Sequence, residues 1–338
     1  MSEALGAYLP SLYMTMRSIV DHWTAAYPSA LAAMLRYPMG WVDETGNPKE
    51  YPAGKRIRPL LLLLCADATG GDWQHALPAA AAVEFLHNFS LVHDDIQDDS
   101  PTRHGRDTVW RVWGKPNAIN AGDALFTISY ATMSDLHRTD TPTPIALEAM
   151  SIFNRTNLEL IRGQYLDMAF ETQATVTVEE YISMIRGKSA ALIAACAQLG
   201  SLIGSRDPQC ASLYAEYGLA LGLAFQIRDD ILGVWGDPAL TGKSAATDIL
   251  TRKKTLPVLF GLAQDPELAK IYATSEISDV GVSTIIRMLE GIGALDYAKG
   301  QETRYYNQAM QALEQANPTG AAADALRGLS RQLLGRAY

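Results

Sequence analysis

"FLHNFSLVHDDIQDDS" (residues 85–100) sets four carboxylates, Asp94, Asp95, Asp98 and Asp99, directly after an apolar run. The run begins near Pro78, is rich in Ala and Leu, and reads as a helix. Residues three and four apart share a helical face, so Asp94 and Asp98 fall together, as do Asp95 and Asp98. Like charges at that spacing repel, and more strongly as water is excluded. A divalent cation among them reverses the balance. Hard oxygen ligands at helical spacing suit Mg²⁺, which keeps several waters and bridges carboxylates to phosphates. A solvated helix end with surplus acid has the same composition, but here Leu91, Val92 and Ile96 are interleaved with the acids.

The surrounding pattern is helical almost throughout. "RPLLLLLCADATGG" predicts a helix opening at Pro59 and stopping at Gly70-Gly71. "TQATVTVEEYISM" comes nearest to a strand, but Glu179, Glu180 and the spaced apolar residues after them read as a loop and then a helix. Loops are expected at 38–54, 100–117, 137–144, 205–209 and 236–254, none of them an interdomain linker. The expectation is all-α: one large helical domain over 1–338, its helices too apolar for a simple surface bundle. "SLVHDDIQDD" (90–99) has an echo in "AFQIRDDILGVWGD" (224–237), where apolar helix again runs into Asp-Asp.

Composition narrows the partners. The 338 residues carry 28 basic and 37 acidic side chains, a formal net charge of −9, which argues against nucleic acid. Cys65, Cys196 and Cys210 are widely spaced in apolar sequence and form no metal or disulfide pattern, as expected of buried thiols in a reducing cytoplasm. The N-terminal "MSEALGAYLP" lacks a signal-peptide pattern. Ser189–Ser205, the longest uncharged apolar stretch, reads as a core helix, so no transmembrane segment is expected.

The cations gather near the acids. Lys55, Arg56 and Arg58 precede a predicted helix start, a natural anion site. Arg103, His104 and Arg106 follow the first acidic cluster. Lys243, Arg252, Lys253 and Lys254 follow the second, and Lys188 stands where another helix is predicted to begin. This pattern suits a metal–phosphate ligand.

These motifs, in this order, resemble the trans-polyprenyl diphosphate synthase family of class I isoprenoid synthases over about 55–257. "DDIQD" (94–98) matches the first aspartate-rich motif and "FQIRDD" (225–230) the second. "GKRIRP" and His87 match an isopentenyl diphosphate site; "RGQYLD", "GKSAALI" and "TGKSAATDILTRKKTLP" match further elements. The resemblance implies a single all-α domain around a deep central cavity, usually a homodimer, with about three Mg²⁺ per active site. Lys55, Arg58 and His87 would hold isopentenyl diphosphate. Asp94, Asp95, Asp98, Lys188 and Asp229 would be the catalytic residues, of which Asp94, Asp98 and Asp229 would bind metal, with Asp230 in support. Arg103, Lys188, Ser189, Gln226, Lys243 and Lys253 would hold the allylic diphosphate. Two positions depart from the family. Gly233 replaces the last acid of the second motif, for which Asp237 compensates only if the helix persists through Gly233 and Gly236. His104 replaces an arginine at the isopentenyl diphosphate corner, and a neutral imidazole is no forked guanidinium.

The implied reaction is ionisation of an allylic diphosphate followed by attack of the isopentenyl double bond on the cation. Acids and cations belong at the mouth of such a site, with apolar walls below that exclude water. Phe89 and Ser90 lie about one helical turn before Asp94. One aromatic at the fifth position before the motif, with no insertion in "DDIQD", resembles synthases that make geranylgeranyl diphosphate (C20). C15 or C25 products remain alternatives, as do a class I terpene cyclase and a non-catalytic subunit of a heteromeric synthase. Two basic sets, Lys55/Arg58 and Lys188/Lys243, favour condensation over cyclisation, and the intact first motif favours catalysis.

Overall fold

A computed structural model describes residues 3–52, 54, 56–236, 246–272 and 279–335. The fold is all-α, and the only sheet among the described residues is one short hairpin. The chain packs as two compact units.

The first unit comprises Met1–Ser151, Leu199–Ala211 and Thr319–Ala323. It contains α1 (Glu3–Thr24), α2 (Ser29–Arg36), α3 (Ile57–Ala68), α4 (Leu77–Gln97), α5 (Val109–Trp113) and α6 (Lys115–Ser134). α3 starts two residues before Pro59, which occupies the first turn, where its missing N–H costs nothing. α4 is buried continuously from Ala79 to Leu86; in its last two turns only Val92 and Asp95 are buried. The helix thus runs from the core to the surface and delivers its acids at the open end. α6 lies antiparallel to α4: Phe89 meets Phe126 with ring centres 4.8 Å apart, and His93 Nε2 lies 3.4 Å from Ile119 O.

The segment expected to be a loop over 100–117 holds α5 and a hairpin, β1 (Thr102–Arg103) with β2 (Arg106–Asp107). Its two-residue turn, His104-Gly105, has positive φ at both positions (52° and 75°), the twist that two-residue hairpins prefer. Local sequence hid it because each strand is two residues long, too short for an alternating pattern.

The second unit comprises Ile152–Gln198, Ser212–Pro318 and Asp324–Tyr338. Its residues belong to α7 (Thr143–Thr172), α8 (Val178–Ile185), a π-helical turn (Arg186–Ala190), α9 (Ala191–Ser205) and α10 (Pro208–Trp235). They continue through α11 (Thr247–Leu250), α12 (Leu256–Gln264), α13 (Pro266–Tyr272), α14 (Asp279–Gly291), α15 (Ala294–Gln315) and α16 (Gly320–Leu334). α8 opens on a capping box: Glu180 N donates to Thr177 Oγ1 at 3.1 Å, and Thr177 N to Glu180 Oε2 at 2.8 Å. That bears out loop-then-helix for "TVTVEEY". Ile227 and Ile231 of α10 are fully buried in a cluster with Tyr181, Met184 and Leu256.

Val178–Ser205 is the one helical stretch among the described residues long and apolar enough to cross a membrane, and 67% of its most apolar window is buried inside the protein. Cys65 and Cys196 are buried as expected; Cys210 is only partly so, a correction that follows from its place in the first turn of α10.

Two arginines that read as anion ligands are instead structural. Arg106 lies between the rings of Tyr37 and Tyr51, 3.8 and 3.7 Å from their centres, and donates to Tyr37 O and Val42 O at 3.2 and 2.9 Å. It anchors the hairpin. Arg56, 5% exposed, pairs with the buried Glu84 of α4 and donates to Met39 O at 3.0 Å. This pair ties the "GKRIRP" segment to the helix that carries the first acidic cluster. Removing one partner leaves a buried charge uncompensated. Glu84→Ala should therefore destabilise the fold by about 3–5 kcal/mol, read as a fall in the urea-denaturation midpoint.

Candidate active site

In the first unit, the acids stand in the last turn and cap of α4. Asp94 and Asp95 belong to that turn, and Asp98 is the C-cap, its N–H donating to Asp94 O at 2.9 Å. The C-terminal end of a helix carries partial negative charge, so acids there are unfavourable unless a cation joins them. Arg103 of β1 supplies part of that charge. Its Nε donates to Asp95 Oδ1 at 2.8 Å and its Nη2 to Asp94 Oδ2 at 3.2 Å. Asp95 is turned inward, 4% exposed, and burial pushes its carboxyl up while Arg103 pulls it down. Asp98 is exposed.

Beside these acids, Arg58 Nη1 lies 3.3 Å from His87 Nε2. Arginine only donates, so Nε2 accepts and the imidazole proton resides on Nδ1. Burial, then the charges of Arg58 and Arg103, hold His87 well below the ordinary histidine range. It is a neutral hydrogen-bond donor at pH 7. The structure thus brings Arg58 and His87 together. His104 sits exposed at the hairpin tip, with its pKa lowered by desolvation and by the charges of Arg103 and Arg56. The Phe89 ring packs on His93 and Phe126, while Ser90 Oγ folds back to donate to His87 O at 2.7 Å. Lys55 and Lys243 lie outside the described residues, as does Asp237.

In the second unit, "GKSAALI" does not begin a helix. Lys188 and Ser189 lie inside the π-helical turn that carries α8 into α9, so no free helix N-terminus is available there for an anion. The close approach of α7 explains the local backbone. A Cβ on Gly187 would lie 2.6 Å from Glu159 O, and one on Gly163 would lie 2.7 Å from Lys188 Cα. Extra backbone in one turn aims two successive side chains, a common use of π-bulges at functional sites. Lys188 pairs with Asp167 of α7, and Ser189 Oγ donates to Gln226 Oε1 at 2.5 Å.

From Gln226 the hydrogen bonds continue inward. Its Nε2 donates to Asp230 Oδ1 at 3.0 Å, while Tyr181 OH and Leu256 N donate to Asp230 Oδ2 at 2.5 and 3.2 Å. Asp230 is 2% exposed. Burial pushes its carboxyl up to about 7 against these three donors, and the Asp248 charge adds to the rise. Asp229, next to it, is half-exposed. α10 persists through Gly233 but ends at Trp235, so the helix that Asp237 needed to act as a compensating acid stops short of Gly236. Lys253 is exposed, and its carbonyl accepts from Tyr272 OH at 2.8 Å. Lys254, grouped by sequence with the cations that follow the second acidic cluster, instead caps the carbonyls of Phe170 and Gln173 at the end of α7. Tyr181 and Asp167 were also missed as partners: each lies at least 21 residues from the group it touches.

The profile of the polyprenyl synthetase family matches residues 42–288, wider than the motif-bearing 55–257. The chain belongs to this family. A (2E,6E)-farnesyl diphosphate synthase of Mycobacterium tuberculosis is 36% identical over 312 residues, covering 90% of this chain and 85% of that protein. A geranylgeranyl diphosphate synthase of the same organism is 40% identical over 270 residues, covering 78% and 76%. A crystal structure of a polyprenyl synthetase from Streptomyces coelicolor superposes with a TM-score of 0.89 at 33% identity, covering 98% of this chain and 99% of that one. The chain is therefore a chain-elongating prenyl diphosphate synthase with the all-α isoprenoid synthase fold.

The donor chemistry of the first cluster fits Mg²⁺. Its side chains are carboxylates, and they stand at the negative pole of a helix with one arginine already drawn onto them. In the second cluster, Tyr181 holds Asp230 and so the Gln226 amide. Tyr181→Phe, which leaves Asp230 Oδ2 with Leu256 N alone among these donors, should cost about 1–3 kcal/mol of stability, measured by calorimetric unfolding.

Proposed function

We propose that this synthase condenses isopentenyl diphosphate with an allylic diphosphate to give geranylgeranyl diphosphate, and that it requires Mg²⁺. The observation that carries the reading is the α4 terminus, where Asp94 and Asp95 accept from Arg103 and Asp98 is the C-cap, while Arg58 and neutral His87 pair alongside. Bound Mg²⁺ supplies the positive charge that stabilises the departing diphosphate. Asp94, Asp98 and Asp229 are the proposed metal ligands, with about three ions by family resemblance. Arg58 and Lys55 hold the diphosphate of isopentenyl diphosphate by charge, and His87 by its Nδ1–H. His104, near His87, is a further neutral donor. Arg103, Lys188, Ser189, Gln226, Lys243 and Lys253 orient the allylic diphosphate.

In the reaction, the allylic C–O bond breaks and diphosphate leaves with the electron pair. The isopentenyl double bond attacks the cation, a C–C bond forms, and the released diphosphate takes the proton. Asp95 and Asp230 act as positioning residues, since both are buried and held by donors from other elements.

Relatives named for farnesyl and for geranylgeranyl products flank the question of chain length. The C20 reading rests on Phe89 and Ser90. Phe89 is braced by Phe126, itself 5.0 Å from Tyr130, while Ser90 adds little bulk. The homodimer reading draws support from α7, whose Leu158, Ile161, Tyr165 and Met168 form one apolar face with exposures from 41% to 69%. Cytoplasmic localisation draws support from three cysteines that are all free.

Incubation with Mg²⁺, isopentenyl diphosphate and farnesyl diphosphate should yield a C20 diphosphate by product chromatography. A cyclised hydrocarbon, or no product, would overturn the reading. Asp94→Ala and Asp98→Ala should each reduce turnover by well over about ten-fold, equivalent to about 1.4 kcal/mol of barrier; smaller losses would rule out the metal assignment. Ser90→Phe should shorten the product towards C15 and Phe89→Ala should lengthen it beyond C20. Unchanged product lengths in both variants would move the determinant to another helix.

A further inference from the structure

Arg56 is the N-cap residue of α3 and sits in the left-handed region, at φ 48° and ψ 40°. A side chain other than glycine is strained there, and such strain persists only where surrounding contacts enforce it. The Arg56 side chain makes no cap to α3. Its guanidinium instead reaches across to α4, where Nη1 pairs with Glu84, while Nη2 donates to Met39 O at 3.0 Å. Asn88 Nδ2, one turn further along α4, donates to the same Glu84 Oε1 at 3.1 Å and steadies it. All three side chains, Arg56, Glu84 and Asn88, are buried.

A buried ion pair is a poor source of stability, because apolar residues of similar volume often do as well or better. Its use here lies in what it holds in place. Glu84 and His87 are three residues apart on α4 and share a face. Arg56 and Arg58 flank Ile57, the first residue of α3. The start of α3 is therefore registered on α4 at two neighbouring points, Arg56 on Glu84 and Arg58 on His87. Because α4 is buried continuously from Ala79 to Leu86, it is the fixed member of this contact. The Arg56 charge also helps to hold His87 neutral. We propose that the buried Arg56–Glu84 pair is a positioning device for isopentenyl diphosphate: it sets the register of α3 on α4 that brings Arg58 and His87 to one diphosphate. Arg56 and Glu84 act through these two residues. The inference rests on the role given above to Arg58 and His87.

Stability and positioning separate in a double variant. Arg56→Met with Glu84→Leu removes both charges at similar volume, and should recover most of the melting temperature that Glu84→Ala loses. The KM for isopentenyl diphosphate should nevertheless stay raised by about ten-fold, as misplacement of a binding group predicts, while the KM for farnesyl diphosphate stays at its wild-type value. Recovery of the isopentenyl diphosphate KM together with the melting temperature would show that the pair is structural only. An equal rise in both KM values would show general loosening, and either result overturns the proposal. Arg56→Lys gives a reading that does not depend on the double variant folding. It keeps the charge but not the fork that reaches Glu84 and Met39 O together. It should raise the isopentenyl diphosphate KM alone, and an unchanged KM overturns the proposal. Arg58→Ala distinguishes the two levels of failure. If it raises that KM and the Arg56 variants do not, only the positioning role is wrong. If none of them raises it, the assignment of Arg58 to isopentenyl diphosphate fails as well.

Discussion

Carboxylates at the C-terminal end of a helix face the wrong pole of its dipole, and α4 places Asp94, Asp95 and Asp98 there. Each such charge is unfavourable by about 0.3–1 kcal/mol at an exposed site, before mutual repulsion is added. Much of the first unit is organised around holding this arrangement. The first half of α4 is buried continuously, so the helix cannot turn its acids away. Arg103 reaches two of the three acids from a hairpin that Arg106 anchors by stacking between two tyrosines. Arg56 and Glu84 tie the preceding basic segment to the same helix. The cluster is kept intact and partly compensated, which leaves a strong attraction for a further cation.

The second cluster resolves the same difficulty by burial. Asp230 gives up contact with water and receives hydrogen bonds from Tyr181, Gln226 and the Leu256 N–H. Those donors come from three places in the chain, and the carboxyl that joins them remains easily protonated, at about 7. Its adjacent Asp229 stays half-exposed. In both clusters, then, one member of an Asp-Asp pair is buried and tethered while its neighbour remains accessible. Successive helical residues point about 100° apart, so a pair at the edge of a buried face naturally divides into a buried and a more accessible member.

The two departures from the family pattern have different physical consequences. His104 lies in a hairpin turn at positive φ, where histidine is among the better-tolerated residues, and it loses the permanent charge of arginine. At Gly233 a side chain would meet the Asp248 carboxylate, which would have to shift to make room. One departure concerns charge at an exposed tip, the other the fit between two helices.

Local sequence determined much of this protein. Apolar spacing, prolines in first turns and the Thr177–Glu180 cap specify helices because those signals act within a few residues. The ordered motifs specify the family and the chemical identity of the acids and cations. Tertiary structure alone decided which cations are free to serve a ligand. Arg56 and Arg106 are held by partners 28 and 64–69 residues away, and Lys254 by carbonyls more than 80 residues away. It also placed Lys188 within a π-helical turn and set Asp248 against Gly233. Helical periodicity reports which face a residue shares with its near neighbours; the partner that meets that face is chosen by packing between segments distant in the chain.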